Sequence, residues 1–211
     1  MAKYIAMDNR ELEKRIERKE VGAKHELARR LVQGENIAED DARGYALALE
    51  AAEEGYAPAK TVLGYCYFYG KGVKQDEKQG VDFFLQAAEG GHDAAQYNMG
   101  IAYERGSVIT IDYEKAYSWY EKAAAQNFAK AFYKLGFFQE MGYGRPIDLN
   151  KAFEFYLKSA ERGYRKAQYI VGLWYSAGRG IIKDLDLARN WLTKAAVQGF
   201  GPARTKLKEL G

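Results

Sequence analysis

The chain has 211 residues, 47% of them apolar and 29% charged, with a net charge of +3. That balance suits a folded core rather than a disordered chain, and the charge is too small to call for a nucleic-acid partner. One cysteine, Cys66, and two histidines, His25 and His92, exclude a disulfide scaffold and leave little material for a Cys- or His-rich metal centre.

The first twenty residues, MAKYIAMDNRELEKRIERKE, contain no apolar core of a secretory signal, and no later run approaches the ~20 apolar residues of a membrane span. A cytoplasmic setting and no membrane partner are therefore expected. Residues 8–20 read as a charged helix with Leu12 and Ile16 as its inner stripe and Glu11 placed four residues before Arg15. It is the core of an expected N-terminal capping helix within residues 1–21.

From there a period of 36 residues organises the chain. Gly34, Gly70, Gly106, Gly142 and Gly178 keep that step, as do Asp40, Asp76, Asp112, Asp148 and Asp184. Ala52, Ala88, Ala124, Ala160 and Ala196 form a third column, and Ala23, Ala59, Ala95, Ala131, Ala167 and Ala203 a fourth. Gly55, Gly91, Gly163 and Gly199 form another, interrupted by Asn127. No insertion breaks the register, so five units are expected, at about 22–56, 57–92, 93–128, 129–164 and 165–200. A C-terminal capping helix at 201–211 completes them, with Lys208 in a column held elsewhere by glycine.

Each unit predicts two helices. In the second, Ala59, Leu63, Cys66 and Tyr67 share one face of a helix A, which Gly70 ends. Asp76 then stands where a carboxylate can cap helix B, whose inner face carries Gly80, Phe83, Phe84, Ala87 and Ala88. Gly64, Gly100, Gly136 and Gly172 lie inside successive A helices, where glycine costs ~1 kcal/mol relative to alanine, so another helix must pass close by. Trp119, Phe155 and Trp191 are expected to fill the space between hairpins. A lone hairpin leaves one face uncovered, so the units must stack into an all-α solenoid.

The residues that repeat also carry a resemblance. AKTVLGYCYFYGKGVKQDEKQGVDFFLQAAEGG and its copies, down to AQYIVGLWYSAGRGIIKDLDLARNWLTKAAVQG, resemble the Sel-1-like repeats, relatives of tetratricopeptide repeats. Ser107 departs from the pattern at the second loop glycine, Asn127 at the closing glycine and Gln139 at a helix A tyrosine. The resemblance implies a right-handed α-solenoid of 36-residue helix-turn-helix repeats with helix A on the concave side. It implies a non-catalytic adaptor or scaffold holding a protein or peptide. A dedicated inhibitor or immunity-type protein is the alternative, and an enzyme a remote one. Some secreted relatives resemble one another in a cysteine pair per repeat and are linked to penicillin binding; that pattern is absent, so the activity is not carried over.

On that face the residues proposed to meet a partner are Tyr65, Phe68, Tyr69, Glu104, Arg105, Phe137, Glu140 and Met141, because aromatic and arginine side chains dominate binding interfaces. Tyr97, Tyr133 and Tyr169 are expected to pack between repeats. Cys66 shares an apolar column with Ala102, Phe138 and Trp174 and reads as a small buried hydrophobe. His25 and His92 fall in different columns with no further ligand at metal spacing, and no phosphate loop, nucleophile motif or zinc string occurs, so neither cofactor nor catalytic residue is expected. Lys71, Lys74, Arg145, Arg179 and Lys183 form a basic loop edge, read mainly as solvated, with steering of an acidic partner as the alternative.

Overall fold

The structure is a computed structural model that describes residues 2–106 and 108–210; Ser107 lies outside the described residues, and the 36-residue step places the column of Gly72, Gly144 and Gly180 at Val108 rather than at Ser107. Among the described residues there are thirteen α-helices and no strand. They are α1 Ala2–Ile5, α2 Asn9–Glu17, α3 Val21–Gln33, α4 Asp41–Glu53, α5 Ala59–Tyr69, α6 Glu77–Glu89 and α7 Asp93–Arg105. There follow α8 Tyr113–Ala125, α9 Ala129–Met141, α10 Leu149–Glu161, α11 Arg165–Ala177, α12 Leu185–Val197 and α13 Gly201–Glu209. From α3 to α12 the helices alternate as A and B members of the 36-residue unit, giving an all-α solenoid.

The punctuation expected of each unit is present. The Oδ1 atoms of Asp40, Asp76, Asp112, Asp148 and Asp184 each accept the backbone N–H three residues on, at 3.0, 2.9, 2.9, 3.0 and 2.8 Å. Each therefore satisfies a donor that the first turn of helix B cannot pair internally. Helix A ends on a left-handed glycine in every unit, with φ between 63° at Gly34 and 72° at Gly142. Asn127 takes φ 65° where the other copies use glycine, a conformation asparagine tolerates.

The N-terminal cap is two helices rather than one. Asp8 starts α2 by accepting the Glu11 N–H at 2.8 Å, which separates it from α1. Leu12 is fully buried, and Arg15 Nε donates to Glu11 at 2.7 Å as its spacing implies. Arg30 of α3 holds the cap down: its guanidinium donates to Ile5 O and Met7 O, each at 2.8 Å, and to buried Glu26 at 2.8 Å. Ile5 O, a terminal carbonyl of α1 with no partner within the helix, is satisfied in this way.

The chain forms two compact units, one up to Ile111 and one from Asp112. In the first, Leu27, Leu31, Leu47, Leu63 and Cys66 make a continuous core beneath α2 to α5. In the second, Phe153, Tyr156, Val171 and Trp174 do so, followed by Leu192, Ala195 and Ala203. Hairpins close tightly within each unit. A Cβ at Gly64 would lie 2.6 Å from the Phe84 ring, and one at Gly136 2.8 Å from Tyr156. The mid-helix glycines are therefore seats for the large residue of helix B in the same hairpin.

Trp119, Phe155 and Trp191 are half-buried, and Trp191 packs against the cluster that holds Phe153, Val171 and Trp174. Each has a lysine ammonium over its ring, Lys122 at 3.8 Å, Lys158 at 5.6 Å and Lys194 at 4.0 Å. The neighbouring residue, Tyr120, Tyr156 or Leu192, is the one fully buried. No helix among the described residues is long and apolar enough to cross a membrane.

Candidate interaction site

Four of the proposed contact residues come together in the first unit. Tyr65, Phe68 and Tyr69 lie on α5, and Arg105 closes the last turn of α7. The Tyr65 and Tyr69 rings are 4.6 Å apart, and Phe68 meets Tyr69 edge-on at 5.0 Å. The Arg105 guanidinium carbon sits 5.6 Å from the Tyr69 ring centre and 5.9 Å from that of Phe68. Two aromatic faces thus hold a cation in place.

The four do not share one role. Phe68 is 2% exposed, so it is a support rather than a contact: its ring lies 5.8 Å from Phe84. It turns inward because Gly80 on α6 leaves room, a Cβ there falling 2.8 Å from Phe68 Cβ. Tyr69 is 36% exposed and Arg105 is exposed, so these two face solvent. Tyr65 is half-buried, and burial raises the hydroxyl pKa of both tyrosines. Glu104 is half-buried on the same turn as Arg105.

A cleft of about 460 Å³ opens between Phe68, Tyr69, Gln75, Glu77 and Arg105. Gln75 Nε2 donates to Phe68 O at 3.0 Å and to Glu77 Oε1 at 3.2 Å, which fixes the polar wall. The repeat pattern gives no sign of Gln75 and Glu77, since both sit where loop meets helix and vary between copies. Arg105 makes no ion pair among the described residues; its contacts are the two rings.

The other three proposed residues lie in the second unit. Met141 is 47% exposed. Phe137 is half-buried, edge-on to Tyr143 at 5.7 Å. Glu140 is already engaged: it accepts the Tyr156 hydroxyl at 2.6 Å and pairs with Arg179 at 2.7 Å. Its carboxylate ties the fourth repeat to the loop of the fifth. Burial and this bond together push the Tyr156 hydroxyl pKa far above its usual value.

The remaining chemistry is structural. Cys66 is fully buried, which pushes its thiol pKa up to about 12. Tyr133 packs on Tyr164 at 5.3 Å and Tyr169 on Phe200 at 5.2 Å; each contact lies within one 36-residue unit and reaches the residue before the next helix A. The basic edge is partly neutralised within the chain. Lys71 pairs with Glu39 at 2.8 Å and Asp41 at 3.2 Å, Arg179 pairs with Glu140, and Arg145 lies 3.0 Å above the Tyr117 ring. Among the described residues no three His, Cys, Asp or Glu side chains gather as a metal site.

Comparison with known proteins follows this geometry closely. The chain is 28% identical to a Sel1 repeat protein from Oxalobacter formigenes, with a TM-score of 0.78 over 90% of this chain and 78% of that one. It is 31% identical to c5321, a protective antigen of uropathogenic Escherichia coli with an SLR fold, at a TM-score of 0.72. That match covers 97% of this chain but only 44% of the antigen. An immunity protein from Pseudomonas aeruginosa shares the fold at 19% identity and a TM-score of 0.62, over 87% of this chain and 66% of that one. No curated protein matches the sequence. The Sel1 repeat model matches residues 21–56, 57–92, 93–128, 129–164 and 165–200, and the chain belongs to the Sel1 repeat family.

Proposed function

We propose that the protein is a non-catalytic interaction module, an adaptor or scaffold whose A helices hold a protein or peptide partner. Sel1 repeats are protein-interaction modules, which supports the general reading. The observation that carries the specific one is Arg105, exposed, seated on Phe68 and Tyr69, and without an ion pair among the described residues. A guanidinium so positioned keeps its N–H edge for a carboxylate, while Tyr69 supplies apolar area at little entropic cost. The partner segment then presents an acidic group beside an apolar one. Within the second unit, Met141 and Phe137 offer apolar area of their own. A cytoplasmic setting suits a single buried cysteine that needs no oxidising compartment.

Binding here is preorganised, because Tyr65, Phe68 and Gln75 fix Tyr69 and the cleft wall before any partner arrives. Capture from native lysate, compared between the parent and a Tyr69→Ala/Arg105→Ala variant, names the partner. Calorimetric titration of that partner then measures the site. The variant should bind at least about tenfold more weakly, as expected for hot-spot truncation. Equal affinity in both proteins would remove this cleft from the interface. Nanomolar one-to-one binding would identify a dedicated inhibitor, and micromolar binding an adaptor.

A further inference from the structure

His25 and His92 are 67 positions apart and in different columns of the repeat, yet their rings meet edge to face with centres 6.4 Å apart. His25 lies on α3, is 4% exposed, and also packs against Tyr56 at 5.4 Å. His92 caps the start of α7 and shares a 2.9 Å hydrogen bond between its Nδ1 and Thr61 Oγ1 on α5. The two imidazoles therefore sit in a joint of three successive A helices. Each has one buried nitrogen without a hydrogen-bond partner, Nδ1 of His25 and Nε2 of His92.

A neutral imidazole tolerates this arrangement, since one of its nitrogens is bare. An imidazolium does not: both nitrogens then carry a proton, and in each ring one of them has no acceptor. Two cations would also face each other across the joint. Around His25 stand Glu26 and Arg29 on α3, with Tyr56 and His92 opposite; beside His92 stands Asp93 of α7. Glu26 is committed to Arg29 and Arg30, at 2.9 and 2.8 Å, so it does not neutralise the pair.

We propose that the His25–His92 pair is an acid-sensitive joint that holds α3, α5 and α7 together while both rings are neutral and loosens them on protonation. The second unit is a built-in control. There the columns of His25 and His92 hold Tyr133, Tyr169, Tyr164 and Phe200, whose contacts Tyr133–Tyr164 and Tyr169–Phe200 do not change charge in acid. Because α5 and α7 also carry Tyr69 and Arg105, the same protons loosen the cleft; that consequence rests on the functional reading above, whereas the joint itself does not.

Burial, and then the neighbouring ring, drive the His25 pKa down to about 4, and burial lowers that of His92. A folded pKa below the unfolded value means that stability is complete above the unfolded pKa. It drains away as pH falls from there toward the folded pKa.

The test uses the partner-free protein. Proton NMR of the two imidazoles should show His25 titrating at about 4 and His92 below its ordinary value, and this measurement needs no variant. Amide exchange, corrected for its intrinsic pH dependence, should show protection in α3, α5 and α7 falling about twentyfold between pH 7 and pH 5, from His25 alone. Protection in α10 to α12 should hold. In His25→Gln/His92→Asn the loss should shrink to the level of the second unit. Imidazoles titrating at the ordinary value, or an undiminished loss in the variant, would overturn the proposal. A cleft that binds nothing at any pH would end the functional reading and leave the joint standing.

Discussion

At the scale of single residues, Arg30 and Phe68 show how far a position in the repeat constrains a side chain. Arg30 occupies an inner helix position yet is 5% exposed, because Glu26 neutralises it and the end of α1 supplies carbonyl acceptors. Arg30→Ala should therefore cost about 3 kcal/mol in urea unfolding, since it breaks a buried pair and uncaps α1 together. Proteolysis between α1 and α2 should quicken in the same variant. Phe68 was legible as unusual, since its column otherwise holds valine, glutamate and serine, but its direction was not. The inward turn depends on Gly80 in the facing helix, and a pattern along one helix carries no record of what the other leaves vacant. Glu140 teaches the same lesson: its partners, Tyr156 and Arg179, come from helix B and from the next repeat.

At the scale of the helix, sequence and structure agree most closely where a local hydrogen bond does the work. Every aspartate read as a helix B cap accepts the bond expected of it, and every helix A ends on its left-handed glycine. These motifs need no tertiary information. Asp76→Ala should cost about 1 kcal/mol in chemical denaturation by releasing the Gln79 N–H. Gly64→Ala should cost more, about 1–3 kcal/mol, because the added methyl meets the Phe84 ring and the carbonyl of Gly80. The backbone bonds from Lys115 and Lys151 hold the carboxyls of Asp112 and Asp148 below their usual pKa. These caps contribute above the ordinary carboxylate range and fail only as pH falls through the lowered values, which amide exchange at Lys115 and Lys151 would follow. The start of α2 was legible, since the charged stripe begins at residue 8, but the separate turn of α1 was not, because residues 2–5 are too few to show a helical period.

At the scale of the whole chain, the period predicted the number and order of the hairpins. It could not predict that contacts gather into two units divided at Ile111 and Asp112, because the five copies look equivalent in sequence. Nor could it bring His25 and His92 together, since that contact joins different columns across two repeats. Removal of residues 129–164, a complete repeat within the second unit, should leave a helical, cooperatively unfolding protein of lower stability, as nearest-neighbour arrays behave. Circular dichroism and urea titration check this. The same 36-residue deletion moved by half a repeat takes out α10 and α11, leaves α9 followed by α12 and should fold as well, whereas removal of α10 alone would join a helix A to a helix A and should give an unfolded chain. The unbroken step of 36 residues also has a genetic meaning. Misaligned recombination between two copies of the coding sequence gains or loses whole codons and whole hairpins at once, with the aspartate cap and the turn glycine restored at the new junction. The length of the array is thereby a quantity that heredity can change in single, foldable steps.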